Sequence, residues 1–233
     1  MWARKALIVY LTLSLTEWFL HRYVMHGNPE ALQKFPLIGN PLAASARSHL
    51  THHGTVQSDM TLKGHDNDDS LTFNLKTVLL IAACFIAPLL MLSRQFTIKE
   101  VLVISTVSGV MYSLMWNSIH TRMHGQEVAP RWDSISPVDS LAHRNPVYDF
   151  LWKYHAVHHV QKGKEKTNYN IVLPGMDFIF GTYGGWKSFD NAEHCFYNDY
   201  KDTRCHASDP RGTWKDSSIL SVDNMVLKVD GYE

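Results

Sequence analysis

The sequence has few cysteines and no excess of charge of either sign. Its 233 residues include only three cysteines, with 22 basic and 22 acidic side chains. Three scattered cysteines do not make a disulfide framework, so we expect the polar part of the chain to lie in a reducing compartment. Balanced charge argues against nucleic-acid binding, which usually needs a basic excess or stripe. No small-residue cleavage site follows the N-terminal apolar run, so a cleavable signal peptide is not expected.

Three long apolar runs are present instead. They cover residues 6–20, interrupted only by Glu17, residues 77–93 and residues 101–119, the last two without charge. A membrane-spanning helix needs about 20 mostly apolar residues; the second and third runs supply them, and the first does so if its helix covers residues 4–24. Because only RQFTIKE separates the last two runs, we expect a membrane hairpin. Buried helices in a soluble α-helical metalloprotein remain the alternative, since short apolar runs are ambiguous.

The order of the runs predicts which side of the membrane each polar segment faces. If the first run crosses, residues 21–74 and the chain from His120 onward lie on one side, with all 14 histidines. That side also holds most of the Lys and Arg, which indicates the cytosol, although Arg4, Lys5 and two other basic residues lie opposite. We therefore expect an all-α integral membrane protein. It would have about three transmembrane helices and a cytosolic helical cap that carries the histidines, in the bacterial inner membrane or the endoplasmic reticulum.

The chain after residue 120 is polar and divides into two parts. A helix is expected to start near Pro146, since proline is favoured in the first turn of a helix. Residues 1–187 are predicted to form the membrane domain. Residues 188–233, rich in Asp, Asn, Lys and Ser, form a polar C-terminal extension of unknown role.

Histidine is abundant, and ten of the 14 histidines fall into four clusters. Because positions i, i+3 and i+4 share a helix face, each H-x2-HH cluster should project three imidazoles from one patch and supply most of one metal's shell. The H-x3-H cluster should project two. The rings of the H-x4-H cluster lie about 140° apart on an ideal helix, so they converge only if the helix ends or bulges near Gly27. The clusters are His21 and His26; His49, His52 and His53; His120 and His124; and His155, His158 and His159.

Ten imidazoles are too many for one metal ion. Two ions could take about five each, which leaves room for oxygen or solvent. Neutral imidazole suits iron, zinc, copper and nickel, whereas structural zinc prefers four ligands that usually include cysteine. An all-imidazole dinuclear centre with open positions therefore fits redox-active iron better. A membrane metal-binding or transport protein is the alternative, but its histidines would line a path through the bilayer, and these clusters stop at helix ends on one side.

Two polar residues near the apolar runs are candidates to support the centre. Asn117 lies three residues before His120, so it could hold a metal-bound water or make an interhelical hydrogen bond. Glu17 lies four residues before His21. We expect Glu17 to accept a hydrogen bond from His21 or a neighbouring ligand, since ligating histidines normally donate their second N–H; an interfacial carboxylate is the alternative.

Three further residues are weaker candidates. Asp177 could orient a ligand or cap a helix. His65, in the acidic loop GHDNDD, and His143, in LAHRNP, could complete a coordination shell or lie at the surface with ordinary hydrogen bonds.

The four ordered clusters resemble those of the fatty acid hydroxylase superfamily, which comprises histidine-rich diiron oxygenases of membranes and includes sterol desaturases. HRYVMH, SHLTHHG, HTRMH and HAVHH carry the resemblance, followed by TNYNIVLPGMDFIFGTY. Members typically have Asn-Tyr-Gly and then Trp-Asp-x-Leu-Phe-Gly-Thr. Here Asn170 replaces the glycine and Met176 replaces the tryptophan, whereas Asp177, Phe180, Gly181 and Thr182 match. The resemblance covers roughly residues 5–183.

The resemblance implies a membrane-bound, non-haem diiron monooxygenase with its catalytic domain in residues 1–187. Its cofactors would be two Fe ions held by the ten clustered histidines, with O2 as co-substrate; zinc can substitute in recombinant protein. Its substrate would be a lipid-like or other apolar molecule that enters from the membrane lipids, and the product would arise by hydroxylation or, alternatively, desaturation. No haem, flavin or dinucleotide motif is present, so electrons would come from a partner of the cytochrome b5 or ferredoxin type.

Overall fold

The computed structural model describes residues 2–57, 60–63, 71–92, 95–126, 132–142, 145–160, 167–184, 192–195 and 226–229. Up to residue 184 the described chain is helical, as the sequence predicts. The elements in chain order are α1 (Trp2–Phe19), a first π-helical turn (Leu20–Met25), α2 (Pro29–Leu32), α3 (Gly39–Thr55), α4 (Leu75–Met91), α5 (Ile98–Met115), a second π-helical turn (Trp116–His120), α6 (Thr121–Met123), a 3-10 turn (Asp139–Leu141), α7 (Pro146–Val160), α8 (Met176–Ile179), β1 (Ala192–Cys195) and β2 (Val226–Val229).

The apolar helices α4 and α5 pack against each other as a helical hairpin. The side chain of Asn74 caps α4 by accepting a hydrogen bond from the N–H of Thr77, and Thr97 and Glu100 form a reciprocal capping box at the start of α5. The two helices approach closely at Gly109, where a Cβ atom would lie 2.8 Å from the Cβ of Ala82. A larger side chain at residue 109 would therefore push α4 and α5 apart.

One helix in the described part of the chain is long and apolar enough to cross a membrane. It runs from Ile98 to Met123 through the second π-helical turn, and only 28% of its most apolar window is buried within the protein. A core helix of a soluble protein would be mostly buried, so this exposure favours contact with lipid. α4 is apolar but shorter, with 17 residues. Three membrane-spanning helices therefore stay a prediction.

α7 begins at the predicted residue because Asn145 caps it ahead of Pro146. The Asn145 Oδ1 accepts hydrogen bonds from the N–H groups of Val147 at 3.1 Å and Tyr148 at 2.9 Å. Further along α7, the fully buried Trp152 packs in one core cluster with Ile119 from the long apolar helix. This packing places the histidines of α7 beside those at the end of that helix.

Residues 167–184, the crossing segment, run over both α1 and α7. Asn168 has a positive φ of 57°, and its side chain donates hydrogen bonds to the carbonyls of Tyr154 and Gly184, both at 3.0 Å. On the α1 side, Ser14 donates to the carbonyl of Leu173 at 2.8 Å. The segment is therefore joined to α7, which carries predicted metal ligands, and to α1, which leads into the π-helical turn that holds His21.

Two short strands lie in the C-terminal extension. β1 and β2 pair in antiparallel register, with Ala192 opposite Val229. The predicted boundary between residues 187 and 188 falls outside the described residues, and the separate extension stays a prediction.

Candidate metal centre

The ten clustered histidines converge into two groups of five. Within each group, one nitrogen from every ring lies within 4.8 Å of the others. Among the described residues, both groups consist of histidine alone, and nearly all of these rings are buried. Site A contains His21, His26, His49, His53 and His158, and site B contains His52, His120, His124, His155 and His159.

The expectation that each H-x2-HH cluster serves mainly one metal is wrong in its detail. On α3, His49 and His53 belong to site A and His52 belongs to site B, and α7 divides its three histidines in the opposite sense. Consecutive residues on a helix point about 100° apart, so two adjacent histidines face different sites. Each of these helices therefore contributes to both sites, and the two sites share their scaffold.

The first π-helical turn explains how the two rings of the H-x4-H cluster converge. The N–H of His26 donates to the carbonyl of His21 at 3.1 Å, the i→i+5 bond of a π-helix. The wider turn brings the two rings to a stacked separation of 5.1 Å between centroids. At Gly27 a Cβ atom would lie 2.4 Å from the carbonyl oxygen of Tyr23. The helix therefore bulges and ends where convergence of His21 and His26 requires it.

The second π-helical turn precedes the H-x3-H cluster. It covers Trp116–His120, and α6 then carries the chain to His124. Isolated π-turns inside α-helices are frequent at functional sites. Both α1 and α5 thus continue into a π-helical turn at the histidines that they position.

Backbone carbonyls lie close to the Nδ1 atoms of three imidazole rings, and the carbonyl of Leu71 lies 3.5 Å from the Nδ1 atom of a fourth, His120. A carbonyl oxygen can only accept, so the Nδ1 atom facing it carries the hydrogen and the Nε2 atom of the same ring presents its lone pair. Ligating histidines normally have such a partner, which fixes the tautomer and the ring plane. The pairs are His21 with Tyr169 at 2.6 Å, His158 with Thr167 at 2.6 Å and His124 with Met60 at 2.7 Å.

The Nε2 atoms of each site crowd together at distances that suit a shared cation. His49 Nε2 lies near the Nε2 atoms of three other rings, and one ring nitrogen carries at most one hydrogen, so these contacts cannot all be hydrogen bonds. Site B also contains the buried His120 Nε2, which has no hydrogen-bond partner among the described residues. The short Nε2–Nε2 distances are 2.9 Å for His21–His49, 3.0 Å for His26–His49 and His26–His158, 3.1 Å for His49–His53 and His53–His158, 3.0 Å for His124–His155 and 3.1 Å for His155–His159.

These distances also indicate the kind of coordination that the rings fit. Metal–imidazole bonds of about 2.0–2.1 Å separate two nitrogens by roughly 2.9 Å at a right angle and by roughly 3.3 Å at the tetrahedral angle. The observed range of 2.9–3.1 Å is close to the first value. Five imidazoles per site exceed the four ligands of a closed structural zinc site. The residues present therefore fit a metal ion that takes more than four ligands.

Burial disfavours the charged form of several imidazoles in the centre. Desolvation lowers the pKa of His49, His155 and His159 well below the usual value, and repulsion from neighbouring histidines lowers each further. Neutral imidazole is the form that binds a metal ion. At neutral pH these rings are therefore ready to act as ligands without first losing a proton.

The side-chain amide of Asn117 is hydrogen-bonded to backbone groups of two segments, and its role with a metal-bound water stays a prediction. Its Oδ1 accepts from the N–H of Phe73 at 2.7 Å, and its Nδ2 donates to the carbonyls of Phe73 and Ile135 at 3.1 and 2.9 Å. The alternative of a structural hydrogen bond is closer to the structure, although the partners are loops and not another helix. Asn117 thus joins two segments to the long apolar helix one turn before His120.

Glu17 is buried, and the hydrogen bonds that its carboxylate accepts from the described residues come from Tyr112 and residues 170–173, not from His21 or a neighbouring ligand as expected. The His21 Nδ1–H reaches the carbonyl of Tyr169 instead. The Glu17 carboxylate accepts hydrogen bonds from Tyr112 and from the crossing segment. Helical spacing placed Glu17 correctly one turn before His21 but could not show that a distant segment would supply its partners.

Asp177 is fully buried and acts on the crossing segment rather than on a ligand. Its carboxylate accepts hydrogen bonds from Tyr154 at 2.7 Å, from the N–H of Asn170 at 2.7 Å and from Thr182 at 2.6 Å. The predicted roles of His65 and His143 lie outside the described residues.

Trp116 is a residue of the site that the sequence analysis did not select. Its ring stacks on His120 at 4.1 Å between centroids, and its Nε1–H donates to the carbonyl of Leu71 at 3.1 Å. The available signal was its position four residues before His120, which places both on one helix face. The carbonyls that orient His21 and His158 left no such signal, because backbone partners do not depend on residue type.

Two adjoining cavities lead to the histidines. The larger, of about 550 Å³, is bordered by His49, His52 and His120 and so reaches both sites. The smaller, of about 110 Å³, starts at His21 and extends between the apolar helices to Cys84 and Phe85. The two share a wall that includes Phe73, Thr77, Leu80 and Trp116. An apolar molecule can therefore lie beside the metal ligands with one end between the apolar helices.

Comparison with known proteins agrees with this geometry. A family model described as fatty acid hydroxylase matches residues 6–182, which include all ten histidines of sites A and B. No curated protein and no solved structure matches the chain. Since the matched range covers well over half of the sequence, the chain belongs to the fatty acid hydroxylase family.

Proposed function

We propose that this protein is a membrane-bound, non-haem diiron monooxygenase that hydroxylates a lipid-like or other apolar substrate. Family membership makes it an oxidoreductase of the hydroxylase or desaturase type that associates with a membrane. The observation that carries the finer proposal is the convergence of ten histidines into two five-imidazole sites next to an apolar cavity. A metal-transport role is disfavoured because both sites lie together at one end of the apolar helices.

The metal pair would be held by the histidines of sites A and B, one ion in each. When bound, redox-active iron supplies the oxidising power that cleaves an unactivated C–H bond with O2. The chain holds the ligand rings in fixed planes through carbonyls such as those of Tyr169, Thr167 and Met60. Fixed rings would hold each ion in place beside the cavity.

The cavity walls would orient the substrate and exclude water. Trp116 is buried between His120 and the stacked ring of Phe73, which lies 4.7 Å away. Both aromatic rings border the two cavities. A flat apolar wall beside the ligands positions an apolar chain by contact and keeps the reacting carbon away from solvent.

The exposed apolar side chains of the long helices would face lipid. They include Leu79 and Met91 on α4 and Leu102, Val103 and Val107 on α5. We propose that the histidine sites lie on the cytosolic side and that a cytochrome b5 or ferredoxin type protein donates the electrons. The substrate would then reach the centre while it remains in the bilayer.

Metal loading and product analysis test the proposal together. The protein is purified in detergent, freed of metal, reloaded anaerobically with Fe²⁺ and assayed for iron content and O2 consumption under reduction, while lipids of expressing cells are profiled. We expect two irons per chain and a new hydroxylated product; an unsaturated product would assign desaturation instead. His158→Ala should abolish turnover and keep membrane insertion, because His158 belongs to site A and its Nδ1 is already fixed by Thr167.

His206→Ala is the matched control, since this histidine lies in the C-terminal extension outside the clustered set. It should retain both the iron content and the product of the wild type. Full turnover by His158→Ala, or no O2 consumption by protein that carries two irons under any reducing condition, would contradict the proposal.

A further inference from the structure

Glu17 has an unusual number of hydrogen bonds for a carboxylate in an apolar helix. It lies in α1 with 4% of its surface exposed, one turn before His21. Its two oxygens accept five hydrogen bonds, and none comes from a histidine. The donors are the Tyr112 hydroxyl at 3.0 Å, Asn170 Nδ2 at 3.2 Å and the N–H groups of Ile171 at 3.1 Å, Val172 at 2.9 Å and Leu173 at 2.9 Å.

Three of these donors are consecutive backbone N–H groups. A run of N–H groups that converges on one point forms a concave anion site, and here the anion is a side chain from another element. The amide of Asn170 closes the arrangement, because it donates to Glu17 and to the carbonyl of Ser14 at 2.8 Å. Glu17 therefore holds the backbone of residues 170–173 in one conformation against α1.

The backbone just before this run orients two ligands of site A. Tyr169 accepts from His21 and Thr167 accepts from His158, both at 2.6 Å. Site B uses other segments, since His124 donates to the carbonyl of Met60 at 2.7 Å. The segment that Glu17 holds thus orients ligands of site A, whereas His124 of site B is oriented by another segment.

We propose that Glu17 is a positioning residue for site A, because it fixes the crossing segment whose carbonyls orient His21 and His158. This inference rests on the proposed function, in which site A holds a metal ion. Loss of the partners that orient metal ligands typically lowers metal affinity 10–100-fold. Glu17→Gln should therefore weaken the ion in site A by that factor and leave the ion in site B at its original affinity.

Glutamine is the informative replacement because it keeps the size of the side chain. One of its two terminal groups is an NH2 that donates, and it would face N–H groups that also donate. The donors of residues 170–173 then lose an acceptor. No cavity forms, because the side chain keeps its size. Thr12→Val is the matched control: Thr12 is buried on the same helix and donates to the carbonyl of Ile8 at 2.7 Å, away from the crossing segment.

The test is a titration of the full-length, metal-free protein in detergent with Co²⁺ under anaerobic conditions. Visible absorption follows coordination, and elemental analysis after gel filtration counts the bound ions. The wild type and Thr12→Val should bind two ions tightly. Glu17→Gln should bind one ion tightly and a second 10–100-fold more weakly. Unchanged affinity for both ions in Glu17→Gln would overturn the inference while the proposed metal centre stands.

Two further outcomes are decisive. A wild type that binds fewer than two ions removes the proposed diiron centre and the inference together. If Glu17→Gln does not fold, amide hydrogen exchange of the wild type replaces the titration, because coupling between a segment and a bound ion is reciprocal. Co²⁺ should then slow exchange at residues 171–173 more than at residues 105–112 of α5. Equal or no slowing would contradict the role of Glu17.

Discussion

Asn170 occupies a position at which the family typically has glycine, and its side chain makes four hydrogen bonds. Its Nδ2 donates to Ser14 and Glu17, and its Oδ1 accepts from the N–H groups of Met176 and Asp177 at 3.0 and 3.3 Å. None of these bonds is available to glycine. Asn170 therefore joins α1, the crossing segment and α8 through contacts that the glycine typical of the family could not make.

Cys84 marks the inner end of the small cavity and is a suitable position for blocking it. Cys84→Trp should fill most of the roughly 110 Å³ beyond His21 and reduce product formation at least tenfold, because the apolar substrate loses its place between the helices. Metal content should not change, since Cys84 lies outside both sites. Lipid profiling and iron analysis of the same preparations check both points.

Cys84→Ala serves as the control for this substitution. It removes the sulfur but keeps the space, so activity should be retained. Undiminished product from Cys84→Trp would show that the substrate reaches the centre without entering this cavity.

The two π-helical turns determine where the ligands of α1 and α5 point. Each widens the helix at the residues that approach the metal sites, over Leu20–Met25 and Trp116–His120. A regular α-helix would leave His21 and His26 about 140° apart. The change in winding is thus a requirement of the ligand set and not an irregularity of the helix end.

Gly27 is the position at which the first π-helical turn is most sensitive to substitution. An alanine Cβ there would lie 2.4 Å from the carbonyl oxygen of Tyr23, so the backbone must shift, and overpacking of this kind typically costs about 1–3 kcal/mol. We expect Gly27→Ala to lower the unfolding temperature and to weaken metal binding in site A. Thermal unfolding in detergent and Co²⁺ titration measure the two effects.

Gly54→Ala provides the comparison, since nothing lies within 4 Å of the Cβ position at that glycine. Gly54 is also in a histidine-bearing helix, α3. Equal effects of the two substitutions would mean that the space at Gly27 does not matter.

Local features of this protein were predictable from the sequence, whereas the relations between its elements were not. Spacing of the histidines predicted the helix faces, and Pro146 predicted the start of α7. The division of His52 and His53 between two sites depends on how α3 is rotated against its neighbours, which no local pattern contains. For the same reason Glu17 was predicted to accept from His21 or a neighbouring ligand, while four of its five donors come from residues more than 150 positions away.

Viewed as a whole, the molecule separates apolar helices from histidine sites. The helix Ile98–Met123 has 26 residues, about 39 Å at 1.5 Å per residue, which exceeds the roughly 30 Å of a bilayer core. Under the proposed membrane placement, the excess would carry His120 beyond the bilayer core. The length of the helix would then allow it to deliver ligands to a centre at the membrane surface.

The buried histidines make the stability of the metal-free protein dependent on pH. The pKa values of His49, His155 and His159 are lowered in the folded state, so below about pH 6.5 the unfolded chain binds more protons than the folded chain. The free energy of unfolding should therefore fall as the pH falls below 6.5, by up to about 1.4 kcal/mol per pH unit for each histidine. Thermal unfolding of metal-free protein at pH 7.5 and 5.5 measures this loss.

The direction in which the unfolding temperature changes between the two pH values decides the test. A lower unfolding temperature at pH 5.5 is expected, whereas an equal or higher one would mean that these rings are protonated in the folded protein. Saturating metal should raise the unfolding temperature at both pH values, because it binds the neutral ring nitrogens of the folded state.

The unequal burial of the two sites implies unequal lifetimes for the ions they hold. All five rings of site B are buried, whereas His26 and His53 of site A are partly exposed to solvent. Water and small chelators can attack an ion through an exposed ligand, so the ion in site A would dissociate first and return first. When metal is scarce, chains with a single ion in site B would accumulate. Under the proposed function such chains would be inactive, so the occupancy of site A would set the active fraction of the protein.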